Sequence, residues 1–170
     1  MDFEFLKDRY DFELARKDDL TSALTLPVGV LSGLGGVMAA MAQSFPYGRA
    51  GWDPLFLLAF AFDTLAFVAA LHFLGRAYHG QDYGYLPRLG ELRQDQEELD
   101  RYFVEHGGDQ ELARAEFQRQ LERRIIEAAD TSAMSNDRRS TFLHRARQSL
   151  LAVLILTSLT GIVYVLAKVI

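Results

Sequence analysis

Three stretches of this chain carry almost no charge, while the residues between and before them are dense in it. The first runs from Ala23 to Ala42 without a charged side chain. The second runs from Leu55 to Gly75 and holds one acid, Asp63. The third runs from Leu150 to Ala167. Each has about 18–21 residues, enough for a helix rising 1.5 Å per residue to cross a hydrocarbon core of about 30 Å. A helix that is apolar all round for this length suits lipid better than the core of a soluble domain. The expected fold is therefore all-α: an integral membrane protein with three transmembrane helices and a cytosolic helical hairpin insert.

The first run is not read as a secretory signal, although Ala40-Met41-Ala42 resembles a cleavage site. Some 22 residues precede it, rich in Asp and Glu, where a secretory leader is short and basic. Orientation follows from Lys and Arg near the span ends. Lys7, Arg9, Arg16 and Lys17 precede span one, and only Arg49 lies between spans one and two. Arg76 and Arg88 follow span two, Arg138, Arg139, Arg145 and Arg147 precede span three, and Lys168 alone follows it. The expected arrangement is a bacterial inner-membrane protein with a cytosolic N-terminus and a periplasmic C-terminus. Tyr47 and Trp52 would sit in an interfacial aromatic belt, with Pro46 and Pro54 bounding the outer loop.

The polar segments read as helices. Phe3, Leu6, Tyr10 and Leu14 recur at three- and four-residue spacing, giving an amphipathic helix that Asp2 is placed to cap. Gly80-Gln81-Asp82-Tyr83-Gly84 and Pro87 mark a loop. Leu89, Leu92, Leu99 and Phe103 give a helix over 89–105, stopped at His106-Gly107-Gly108 with Asp109 as the next N-cap. Phe117, Leu121, Ile125 and Ala128 give a second helix over 110–130. Ser132 to Asn136 is expected to break or bend the chain before a helix of about 45–50 Å that continues into span three. The expected organisation is residues 1–75 as the N-terminal helix and two spans, 76–135 as the hairpin, and 136–170 as the last long helix.

Asp63 is the sharpest functional feature, because a mid-membrane carboxylate costs several kcal/mol if it faces lipid. It reads either as a pore or gating group, or as a packing group bonded to Thr64 or to a hydroxyl of another span. His72, nearer the cytosol, is a second polar candidate. Thr157, Thr160, Tyr164 and Lys168 form a polar stripe on span three, suited either to lining a pore or to interhelical hydrogen bonds. Gly29, Ser32, Gly33 and Gly36 form a small face with a GxxxG core, suited to close helix approach within one subunit or between copies.

Arg138, Arg139, Arg145 and Arg147, with His144, form a juxtamembrane basic group for anionic lipid or an anionic ligand such as a nucleotide signal. Arg119, Arg123 and Arg124 are placed to join it, though Glu116, Glu122 and Glu127 beside them suit ordinary helix-surface ion pairs. The chain has no cysteine, and one Asp with one His makes no metal site. No GxSxG, HExxH, GxGxxG or Walker A sequence is present, so no enzyme activity, cofactor or metal is expected. The net charge of −5 argues against nucleic acid as a partner.

Two texts carry a resemblance. EAADTSAMSNDRRSTFLHRAR, at residues 127–147 ahead of span three, and FELARKDDLTSALTLPVGVL, at 12–31, resemble small bacterial membrane proteins of antiphage defence loci. These are the SLATT-type and the Pycsar- or CBASS-type membrane effectors, which join two or more spans to a short cytosolic helical region. The usual layout has two spans and this chain has three. The resemblance implies an oligomeric effector that forms a pore or disrupts the membrane when a cytosolic sensor protein signals infection. It carries no residue-level site. The alternative is a structural or regulatory subunit that anchors a soluble partner through its cytosolic helices. A lipid-modifying enzyme is a third class, disfavoured by the missing catalytic set.

Overall fold

The computed structural model describes residues 2–48, 51–79 and 82–169. Arg49 of the outer loop, and Gly80 and Gln81 of the expected loop, lie outside the described residues. Five helices follow one another: α1 (Phe3–Ser22), α2 (Thr25–Ser44), α3 (Trp52–Tyr78), α4 (Leu89–Glu105) and α5 (Gln110–Val169). There is no strand among the described residues. Three helical stretches, Phe3–Ser44, Trp52–Tyr78 and Gln110–Val169, are long and apolar enough to cross a membrane. The protein is thus all-helical with three candidate spans, compatible with a membrane location.

Local chemistry explains most helix ends. Asp2 Oδ1 accepts the Glu4 N–H and starts α1. The break between α1 and α2 falls at Ala23–Leu24, and Pro27 stands four residues beyond Ala23. A proline lacks the N–H for that helical bond, and its ring crowds the carbonyl four residues back. α4 ends in a turn through Gly107 at φ 75°, with the Gly108 N–H on the Phe103 carbonyl at 2.7 Å. Asp109 Oδ1 then accepts the Leu112 N–H at 2.8 Å and caps α5.

The expected break at Ser132 to Asn136 does not occur, since α5 runs unbroken through it for 60 residues. Serine and asparagine disfavour helix interiors when their side chains compete for nearby backbone. Here those side chains bond elsewhere. Ser132 donates to the Gly84 carbonyl, Ser135 to the Asp82 carbonyl, and Asn136 to Glu13. The two helices expected on either side of the break are therefore one.

The chain divides into two compact units: Met1–Asp18 with Gln81–Asp137, and Asp19–Gly80 with Arg138–Ile170. In the first unit, Leu6 and Tyr10 of α1 pack on Ile125, Ala128 and Ala129 of α5, flanked by Phe3, Leu14, Leu86 and Leu121. α4 is tied to α5 by Arg124 Nη1 on Asp95 Oδ2 at 2.6 Å. In the second unit, Leu24 and Leu31 of α2, Ala70, Leu74 and Ala77 of α3, and Leu143, Ala146 and Val153 of α5 form one cluster. A second cluster joins Met38, Met41, Phe45, Phe56 and Ala167, with the Phe45 and Phe56 rings stacked. Alanines at these contacts let helices approach closely, which matters where lipid offers no hydrophobic gain on association.

Candidate functional site

Polar side chains form a seam inside the second unit. Asp63 of α3 is fully buried, and its Oδ1 accepts the Thr157 hydroxyl of α5 at 2.9 Å. Its Oδ2 has no hydrogen-bond partner, and neither has the hydroxyl of Thr160, which is also fully buried. Thr64 is not the partner of Asp63, because its hydroxyl returns to the Phe60 carbonyl of its own helix. Further along α5, the Tyr164 hydroxyl shares a hydrogen bond of 2.9 Å with Ser44 of α2. Lys168 Nζ approaches the same hydroxyl at 3.5 Å and lies over the Tyr164 ring.

The stripe Thr157–Thr160–Tyr164 therefore faces into the three-helix unit, where two of its members join helices by hydrogen bonds. His72 stands apart from it, exposed, with its ring edge against Phe73.

The small face of α2 has the opposite placement. Gly29, Ser32, Gly33 and Gly36 are all exposed, and a Cβ added at Gly29, Gly33 or Gly36 would meet nothing within 4 Å. Ser32 returns its hydroxyl to the Val28 carbonyl. The glycine that serves packing within the chain is Gly35, whose added Cβ would meet the Phe67 ring at 3.2 Å. Of the four arginines, Arg138, Arg145 and Arg147 are exposed, whereas Arg139 is buried and its Nε donates to the Ala77 carbonyl at 2.9 Å.

Sequence reasoning missed the densest polar cluster, which lies in the first unit. Glu13 of α1 is fully buried. Asn136 Nδ2 donates to its main-chain carbonyl at 2.8 Å and to its Oε2 at 3.0 Å. Tyr83 donates to Asn136 Oδ1 at 3.1 Å. Arg9 Nη2 lies 2.8 Å from Glu13 Oε1, an ion-pair distance without hydrogen-bond alignment. Arg16 bridges Glu13 and Asp137, and the Asp137 hydrogen bond chiefly holds its guanidinium pKa above the ordinary value. Lys17 donates to the Tyr85 hydroxyl, which raises the ammonium pKa, and lies over the rings of Tyr83 and Tyr85.

A signal for this cluster was present. Leu6, Tyr10 and Glu13 share one helical stripe, as do Ala128, Ser132, Asn136 and Arg139. An acid or amide on an apolar stripe marks a buried polar contact. The cluster is fully built from its own side chains and holds one helix against another.

Among the described residues, no group of three His, Asp or Glu side chains is placed to hold a metal. Arg119 pairs with Glu116 on its own helix, and Arg124 with Asp95 of α4. No family model, no curated protein and no solved structure matches the chain.

Proposed function

We propose that the protein is an oligomeric inner-membrane effector with its N-terminus in the cytosol, and that it permeabilises the bilayer when α3 and α5 part. The resemblance to antiphage membrane effectors is consistent with this reading. The observation that carries it is the polar seam. A helix bundle that only anchors a partner needs apolar contacts alone. This one buries a carboxylate and two threonine hydroxyls, leaving Asp63 Oδ2 and the Thr160 hydroxyl unpartnered. Unpartnered buried polar atoms cost on the order of 1–3 kcal/mol each, which favours an arrangement that gives them water or ions in another state. In the closed state Thr157 holds Asp63. In the open state the same groups would line the path and set its field.

Asp63→Asn tests this directly. It keeps the acceptor for Thr157 and removes the charge. The expected result is normal abundance with altered membrane depolarisation on induction. Depolarisation equal to that of the unaltered protein, at equal abundance, would remove Asp63 from the path.

Assembly is assigned to the α2 face. Gly29, Gly33 and Gly36 lie open on one chain, and small faces of this kind bring helix backbones together. Gly33→Leu meets no atom of its own chain, so the monomer should be unchanged while the crosslinked oligomer in membranes declines. An unchanged crosslinking ladder would exclude this face as the contact.

A second reading is a membrane anchor for a soluble partner that docks on the helical hairpin, taken as cytosolic. The exposed Phe5, Phe12 and Met134 of the first unit favour it. On that reading Asp63→Asn is silent, and loss of the hairpin abolishes partner recruitment without affecting depolarisation.

A further inference from the structure

The helices α2 and α3 meet closely at Gly35 and Phe67 and leave a groove between them toward the start of α2 and the end of α3. Two adjoining cavities make it up. One, of about 210 Å³, runs from Gly35 and Phe67 to Leu74. The other, of about 290 Å³, shares Val28, Leu71 and Leu74 with the first and ends at Tyr78 and His79. The walls are aliphatic along the length and polar only at this last end. The floor at Gly75 is bare, since a Cβ there would meet nothing within 4 Å.

Charge is distributed to match. The second unit holds seven Lys and Arg against three acids, and only Asp19 of those acids lies outside the spans and their connecting turn. At the groove's polar end Arg76 lies over the Phe142 ring and Arg145 near the Phe73 ring. Neither makes an ion pair among the described residues. α2 begins there with Leu24 as its N-cap residue, which offers no side-chain acceptor, so the positive end of its dipole is not neutralised by a cap.

We infer that this groove is a binding site for one glycerophospholipid with an anionic head group. An acyl chain lies between Val28, Leu31, Leu71 and Leu74, and the phosphate lies beside Tyr78, His79 and Arg76. A narrow aliphatic slot that opens at a basic, aromatic rim has the features of such a lipid: one flexible apolar chain joined to a negative group at the interface. Basic pockets between transmembrane helices on the cytoplasmic side are suited to anionic head groups. The inference rests on α2 and α3 crossing a bilayer and not on what the protein does there.

Native mass spectrometry of the detergent-solubilised full chain, titrated with phosphatidylglycerol or phosphatidylcholine, tests it. The unaltered protein should hold one phosphatidylglycerol in preference to phosphatidylcholine. Gly75→Leu fills the floor without meeting protein atoms and should abolish that adduct at an unchanged melting temperature. Arg76→Gln leaves the slot open and should cut the preference about fivefold, the weight of roughly one basic residue near an anionic surface. Undiminished lipid binding by Gly75→Leu overturns the site. Equal binding of both lipids by the unaltered protein overturns the head-group assignment. Both arms read lipid alone, so they stand whether or not Asp63→Asn changes depolarisation.

Discussion

Asn136→Leu should destabilise the first unit by about 3–5 kcal/mol. Leucine has nearly the volume of asparagine, so no large cavity forms. What changes is hydrogen bonding. The buried Glu13 carboxylate loses the Nδ2 donor at 3.0 Å, its main-chain carbonyl loses the donor at 2.8 Å, and Tyr83 loses its acceptor. Arg9 and Arg16 remain near Glu13, but both are partly exposed and screened by solvent, so they cannot replace a buried donor. The predicted consequence is release of α1 from α5. Limited proteolysis in detergent should cut between Leu6 and Arg16 at low protease, where the unaltered protein resists. Equal resistance of the two proteins would show that Asn136 contributes nothing to holding α1.

Gly84→Ala should be nearly as damaging, at about 3 kcal/mol, by a different route. A Cβ on Gly84 would lie 2.5 Å from the Ala128 Cα and 2.6 Å from its carbonyl oxygen. Those are backbone atoms of α5 and cannot rotate aside, so the loop itself must lift. Lifting it also draws the Gly84 carbonyl away from Ser132 and strains the bond of Ser135 to Asp82. Thermal unfolding of the solubilised protein should show a transition lowered by several degrees. Gly90→Ala serves as the control, because a Cβ there would meet nothing within 4 Å. A shift no larger at Gly84 than at Gly90 would disprove the close approach.

The elements that could be read from the chain are those fixed by local chemistry. Runs of apolar side chains long enough for a bilayer gave the three candidate spans. The Gly107 turn and the Asp109 cap delimited α4, because a left-handed glycine and a carboxylate at an N-cap act within a few residues. The continuity of α5 was not legible from Ser132 to Asn136. Their helical state depends on acceptors at Asp82, Gly84 and Glu13, far away in sequence. Asp63 was recognisable as an anomaly, but its partner Thr157 lies 94 residues on, and spacing cannot select one hydroxyl among several. The glycines of α2 show the same limit. Pattern alone does not distinguish Gly35, which meets Phe67, from Gly33, which meets nothing.

The bond between Asn136 and Glu13 also sets a clock. Its ends are 123 residues apart, and a bacterial ribosome adds about 5–20 residues per second. Residue 13 therefore waits roughly 6–25 s after its own synthesis before its partner exists. During that interval Leu6 and Tyr10 have no α5 to pack against, while the segments of α2 and α3 are already being made. α1 must spend the insertion of two spans as an exposed amphipathic segment, available to chaperones or to the bilayer surface. The first unit can close only after nearly the whole chain has been translated, so the protein's soluble part matures after its first two spans are in place.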